Sequence, residues 1–83
     1  MGKLEIVFSR AAAKDYKKLP ADYKTLVDKV LMKLSEGLPL DLKPIEGESA
    51  SYRIRVGKYR LLFSVDGQTA IISKIGSRGD VYK

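Results

Sequence analysis

Residues 51–67 read SYRIRVGKYRLLFSVDG, and the fold turns on how this stretch is read. Gly57-Lys58 suits a two-residue hairpin turn with glycine first, since the leading position of such a turn takes a positive φ. With that turn, Val56 faces Tyr59, Arg55 faces Arg60, Ile54 faces Leu61 and Arg53 faces Leu62. Directly opposed residues share a face of the sheet, and so do alternate residues along a strand. Tyr52, Ile54, Val56, Tyr59, Leu61, Phe63 and Val65 therefore form one apolar face. Arg53, Arg55 and Arg60 collect on the other. A one-residue slip would break this partition. Asp66-Gly67 reads as a second hairpin turn, leading into a strand over 68–75. That register sets Arg60 opposite Ser73 and brings Thr69 and Ile71 onto the arginine face.

Outward from the hairpins, KLEIVFS (3–9) alternates and is rich in β-formers, which predicts a first strand. Ser9 is placed to cap a short helix through RAAAKDYKKL, and Pro20 ends it. Pro20 also suits the first turn of a second helix, PADYKTLVDKVLMKLSEG, closed by Gly37. Within it Tyr23, Leu26, Val27, Val30, Leu31 and Leu34 recur at three- and four-residue steps, giving one apolar stripe that needs a sheet to cover it. Lys14, Lys17, Lys18, Lys24, Lys29 and Lys33 read as a solvated face. LPLDLKPIEGESA (38–50) reads as a loop, punctuated by Pro39, Pro44 and Gly47. The predicted architecture is one α+β domain over 1–83, β-α-α-β-β-β, with a helical hairpin packed on a mainly antiparallel four-stranded sheet.

A chain of 83 residues holds one modest core. It has no cysteine and no histidine, so thiolate catalysis, disulfides, zinc–cysteine sites and imidazole acid–base chemistry are excluded. No apolar run approaches the roughly 18 residues of a membrane span, and no signal peptide is seen, so a cytoplasmic protein without a membrane partner is expected. The net charge of +6 is unevenly spread. Residues 1–51 carry 9 Lys/Arg against 8 Asp/Glu, while 52–83 carry 7 against 2. The basic excess thus sits in the last third, which suits a polyanionic partner or simple solubility.

Placing Arg55 opposite Arg60 works against folding, because like charges across a strand pair repel. No acidic residue adjoins them in the sequence, which leaves Glu46, Glu48 or Asp80 from loops to pair them in a purely structural role. The functional reading is that an anion sits there. Guanidinium groups are planar, permanently charged and able to grip phosphate bidentately. Gly76 and Gly79 are read as letting the chain bend back after the last strand, so that Arg78 and Tyr82 return toward the arginine face.

Taken together, PIEG, SYRIRVGKYRLLFSVDG and IISKIGSRGDVY resemble the RelE/ParE toxin superfamily, with its arginine-bearing strand pair followed by a G-x-R-x-x-x-Y tail. The resemblance covers nearly the whole chain. It implies a toxin of a type II toxin–antitoxin system and, in the RelE branch, a metal-independent endoribonuclease without cofactors that cuts mRNA in the ribosomal A site. The 2′-OH attacks the adjacent phosphate and leaves a 2′,3′-cyclic phosphate. By position, Arg60 and Arg78 match arginines that hold the scissile phosphate, and Tyr82 matches the tail tyrosine of the active site. Arg53 and Arg55 fall where RelE has two lysines; with Lys58 and Lys74 they make up the expected RNA-binding set. Arginine cannot readily serve as the base. Either Tyr82 takes the proton or an unassigned group does, Glu46 and Glu48 being nearby loop candidates. Ser77 stands where many relatives carry histidine. The implied partners are the ribosome, mRNA and a cognate acidic antitoxin held in a hetero-oligomer. Alternatives are a ParE-like inhibitor of DNA gyrase and an inactive antitoxin-binding module.

Overall fold

Strand β1 (Glu5–Phe8) ends at Ser9, whose hydroxyl oxygen accepts the backbone N–H of Ala12 at 3.1 Å and caps helix α1 (Arg10–Lys18). The computed structural model describes residues 3–77. Helix α2 (Ala21–Glu36) starts directly after Pro20, which stands at the cap itself, where its missing N–H costs nothing. Gly37 closes α2 at φ 73°, a left-handed conformation that glycine adopts without a Cβ clash. Four strands follow: β2 (Leu42–Pro44), β3 (Ser51–Val56), β4 (Tyr59–Asp66) and β5 (Thr69–Ser77). The sheet order is β1-β5-β4-β3-β2, with β1 parallel to β5 and every other pair antiparallel. None of the described helices is long and apolar enough to cross a membrane.

The α+β layout is as expected, but the sheet has five strands instead of four. The stretch 38–50 is not all loop, since Leu42, Lys43 and Pro44 pair with Ile54, Arg53 and Tyr52. A three-residue strand carries too little alternation to be read, and its proline is tolerated because the strand lies at the sheet edge.

The β3–β4 register is the one derived from the Gly57-Lys58 turn: Val56↔Tyr59, Arg55↔Arg60, Ile54↔Leu61 and Arg53↔Leu62. Gly57 takes φ 60°, as the first position of that turn requires. The β4–β5 hairpin differs from expectation. Its turn is Gly67-Gln68, one residue later than read, again with a positive-φ glycine first, and Asp66 pairs with Thr69. A bulge then inserts Ser73 opposite the Leu62/Phe63 step. Arg60 consequently faces Gly76, not Ser73. The Ser73 hydroxyl donates to the Leu62 carbonyl at 3.2 Å, which bridges the interrupted ladder. β5 runs to Ser77, so Gly76 lies within the strand and is not the bend expected of it.

Leu61, Phe63, Ile72 and Val27 are fully buried between sheet and helices, with Ile54, Val56, Leu34 and Ile75 around them. Tyr52, Tyr59 and Val65 flank that core half-buried. Leu26 departs from its predicted place on the stripe and is 42% exposed. β1 pairs only with the first half of β5, so α1 covers the rest of that edge. Asp15 accepts the Ile75 N–H at 3.0 Å, completing a backbone bond that no strand supplies.

Candidate functional site

The outer face of the sheet is built by the residues that alternate with the core. Arg53 and Arg55 project from β3 in alternation with the buried Ile54 and Val56, and Arg60 projects from β4 beside the buried Leu61. With Lys43 of β2 and Asp41 just before it, they line a cavity of about 130 Å³. Among the described residues, all five that line it are charged, four cations and one carboxylate. The anchorage is stiff because each arginine is rooted in a paired strand over a packed core. Arg55 is exposed; Arg53 and Arg60 are half-buried, and the Nε of Arg60 is fully buried. Gly76 stands across from Arg60 on β5 and presents no side chain to crowd it.

The cavity can hold a tetrahedral oxyanion. Guanidinium groups converging from neighbouring strands supply several N–H donors, and the aligned charge favours extra negative charge on a bound group. The like-charge juxtaposition of Arg55 and Arg60 opposes folding by roughly 0.2–1 kcal/mol. Asp41 offsets part of it. Two of the loop acids expected to pair the arginines are Glu46 and Glu48. Both are exposed in the turn after β2 and do not line the cavity.

The two expected lysines lie elsewhere. The Lys58 ammonium sits 5.8 Å from the Tyr23 ring centroid, on the helical side. Lys74 is tied to α1 by an ion pair with Asp15 at 3.5 Å. Arg78, Tyr82 and the loop acid Asp80 fall outside the described residues. Ser77, the last described, pairs with Tyr59 next to the Arg60–Gly76 pair. Lys43 and Asp41 were missed; their signal is the two-residue alternation about Leu42 in DLK, visible only once that segment is taken as a strand. Among the described residues no three His, Cys, Asp or Glu side chains cluster to hold a metal.

One titratable group away from the cavity is shifted. The Tyr16 hydroxyl donates to Asp28 at 2.7 Å, and that bond, with some desolvation and the carboxylate charge, raises the phenol above its ordinary value.

Residues 6–82 match the model of the family described as the ParE toxin of the type II toxin–antitoxin system parDE. The chain is 30% identical to Toxin RelE3 of Methanocaldococcus jannaschii over 95% of its own length and 96% of the relative's. Among solved structures, it is similar to the toxin of the RelB–RelE antitoxin–toxin complex from Methanococcus jannaschii. That likeness has a TM-score of 0.79 and 29% identity, covering 93% of this chain and 95% of the other. A chain of the toxin–antitoxin complex RelBE2 from Mycobacterium tuberculosis gives a TM-score of 0.76 at 28% identity, over 96% and 97% of the two chains.

Proposed function

The chain belongs to the RelE/ParE superfamily of type II toxin–antitoxin toxins, and from that premise we propose that it is a ribosome-dependent endoribonuclease. The observation that carries this reading is the arginine cavity, an anion site built on a rigid sheet and lined by Arg53, Arg55, Arg60 and Lys43. An arginine cluster of this kind suits phosphoryl transfer, where charge builds on non-bridging oxygens and must be met by donors already in place. In the proposed reaction the 2′-oxygen of one nucleotide bonds to the adjacent phosphorus and the bond to the 5′-oxygen breaks. The products are a 2′,3′-cyclic phosphate and a 5′-hydroxyl end. Arg60 and Arg78 grip the phosphate, Arg53 and Arg55 neutralise the flanking backbone, and Tyr82 works from the tail. The chemistry needs no metal.

The same reading gives the partners. The ribosome presents the mRNA, in the cytoplasm, and an acidic antitoxin covers the basic face. The last is supported by the RelB–RelE complexes to which the chain is similar and by the excess of Lys/Arg after residue 51.

The test is cleavage of a defined mRNA by purified protein, with and without programmed ribosomes, mapped by primer extension. Cuts are expected only with ribosomes, and Arg60→Ala should reduce them by about 10²–10³-fold without unfolding the domain. Breakage of DNA by gyrase, with no mRNA cut, would instead make the cavity a docking surface.

A further inference from the structure

We propose that Asp41 is the general base of this reaction, taking the proton of the attacking 2′-OH; the inference rests on the nuclease reading above. The cavity is lined by Asp41, Lys43, Arg53, Arg55 and Arg60, which are also the charged groups that face the carboxylate. Guanidinium and ammonium groups are donors with no acceptor to offer, so within this lining the carboxylate is the proton acceptor. It is not used up structurally: among the described residues Asp41 makes no side-chain ion pair or hydrogen bond.

Its place in the sheet fits the role. Pairing ends at Leu42 with Ile54, and the chain turns at Asp41, where the Leu42 N–H donates to the Leu40 carbonyl at 3.0 Å. That turn sets Asp41 at the mouth of β2, in the same cavity as Arg55 and the Arg60 it faces. A phosphate held between the arginines brings the adjoining ribose to the cavity that Asp41 also lines. The proton passes from O2′ to an Asp41 oxygen as the O2′–P bond forms. The P–O5′ bond breaks, water protonates the departing 5′-oxygen, and Asp41 later returns its proton to solvent.

For anion binding alone, Asp41 is adverse, since a carboxylate among four cations weakens their pull on phosphate. This opposition separates the base from a passive role. Single-turnover cleavage on programmed ribosomes should be measured across pH for wild type, Asp41→Asn and Asp41→Glu, with RNA affinity and thermal melting of each. Asp41→Asn is expected to bind RNA at least as tightly as wild type, to melt no lower, to cleave about 10²–10⁴-fold more slowly and to lose the acidic limb of the pH profile. Asp41→Glu should recover part of the rate with that limb. Wild-type cleavage by Asp41→Asn, a retained acidic limb, or a loss matched by weaker RNA binding or a lower melting point overturns the assignment. If wild type cuts, Arg60→Ala does not and Asp41→Asn does, the nuclease reading stands and the base is elsewhere. A wild type that makes no cut removes both.

Discussion

The two faces of the β3–β4 hairpin are made by the same fourteen residues and obey opposite rules. Ile54, Val56, Leu61 and Phe63 point inward and are buried, while Arg53, Arg55 and Arg60, one position out of phase, share the outer cavity. The inner face is chosen for fit and contributes most of the folding free energy. The outer face carries mutually repelling cations, a cost to folding that Asp41 offsets in part and a bound anion would reduce further. Stability and proposed function are thus separated by strand parity, and substitutions on the two faces should act in different assays.

The inner face should give the largest effect. Phe63 is 1% exposed, and Phe63→Ala is expected to cost about 3–5 kcal/mol. Set against a total of about 4–12 kcal/mol for a chain of this size, that loss should leave much of the protein unfolded at growth temperature, as denaturant melts will register. Activity would vanish with the fold. Arg60→Ala, three residues earlier on the same strand, should do the reverse: cleavage falls by about 10²–10³-fold while the melting temperature moves by only a few degrees. A comparable melting loss in both variants would erase the distinction between the faces.

This partition was legible in the sequence because a single glycine sets it. Gly57 needs a positive φ, a two-residue turn follows, and parity then assigns every residue of both strands. The second hairpin was less legible. Asp66-Gly67 and Gly67-Gln68 are both acceptable turns, and the chain takes the one that puts glycine first. The bulge at Ser73 leaves no mark in composition. It depends on a hydroxyl reaching Leu62 across the ladder, and it adds one position to the two by which the later turn moves the partner of Arg60, from Ser73 to Gly76. β2 was missed for a related reason. Its three residues are strand because β3 offers an open edge and Leu42 half-buries there, not through any propensity of LKP. Missing β2 also hid Asp41 and Lys43, which adjoin the arginine face only through that strand. Lys58 and Lys74 were read by charge, but their ammonium groups are drawn to Tyr23 and Asp15.

A smaller effect, of opposite sign, should come from Arg55. It faces Arg60 directly, so Arg55→Gln, which keeps part of the aliphatic stem and removes the charge, is expected to stabilise the fold by roughly 0.2–1 kcal/mol. Cleavage should fall in the same variant. The stability gain should shrink in high salt, where the repulsion is already screened. Urea melts at low and high ionic strength give the comparison directly. A destabilised Arg55→Gln would mean that the outer face contributes to folding after all, and the parity argument would weaken.

The smallest effect lies away from the sheet, in the contact between the two helices, and its pH dependence has a fixed sign. Tyr16 donates to Asp28, and that bond raises the phenol above its ordinary 10.0. A group whose folded value lies above its unfolded one stabilises fully below the unfolded value and loses that contribution as pH rises through the folded one. Tyr16→Phe keeps the edge-on contact with Phe8 and removes only the hydroxyl. The pair is exposed, so the difference from wild type should be less than about 1 kcal/mol. It should stay level from neutral pH to about 10 and then close as wild-type Tyr16 ionises. Melts of the two proteins in parallel buffers test this. A difference that instead widens above pH 10 would mean the phenol is stabilised in its charged form, contrary to a hydrogen bond donated to a carboxylate.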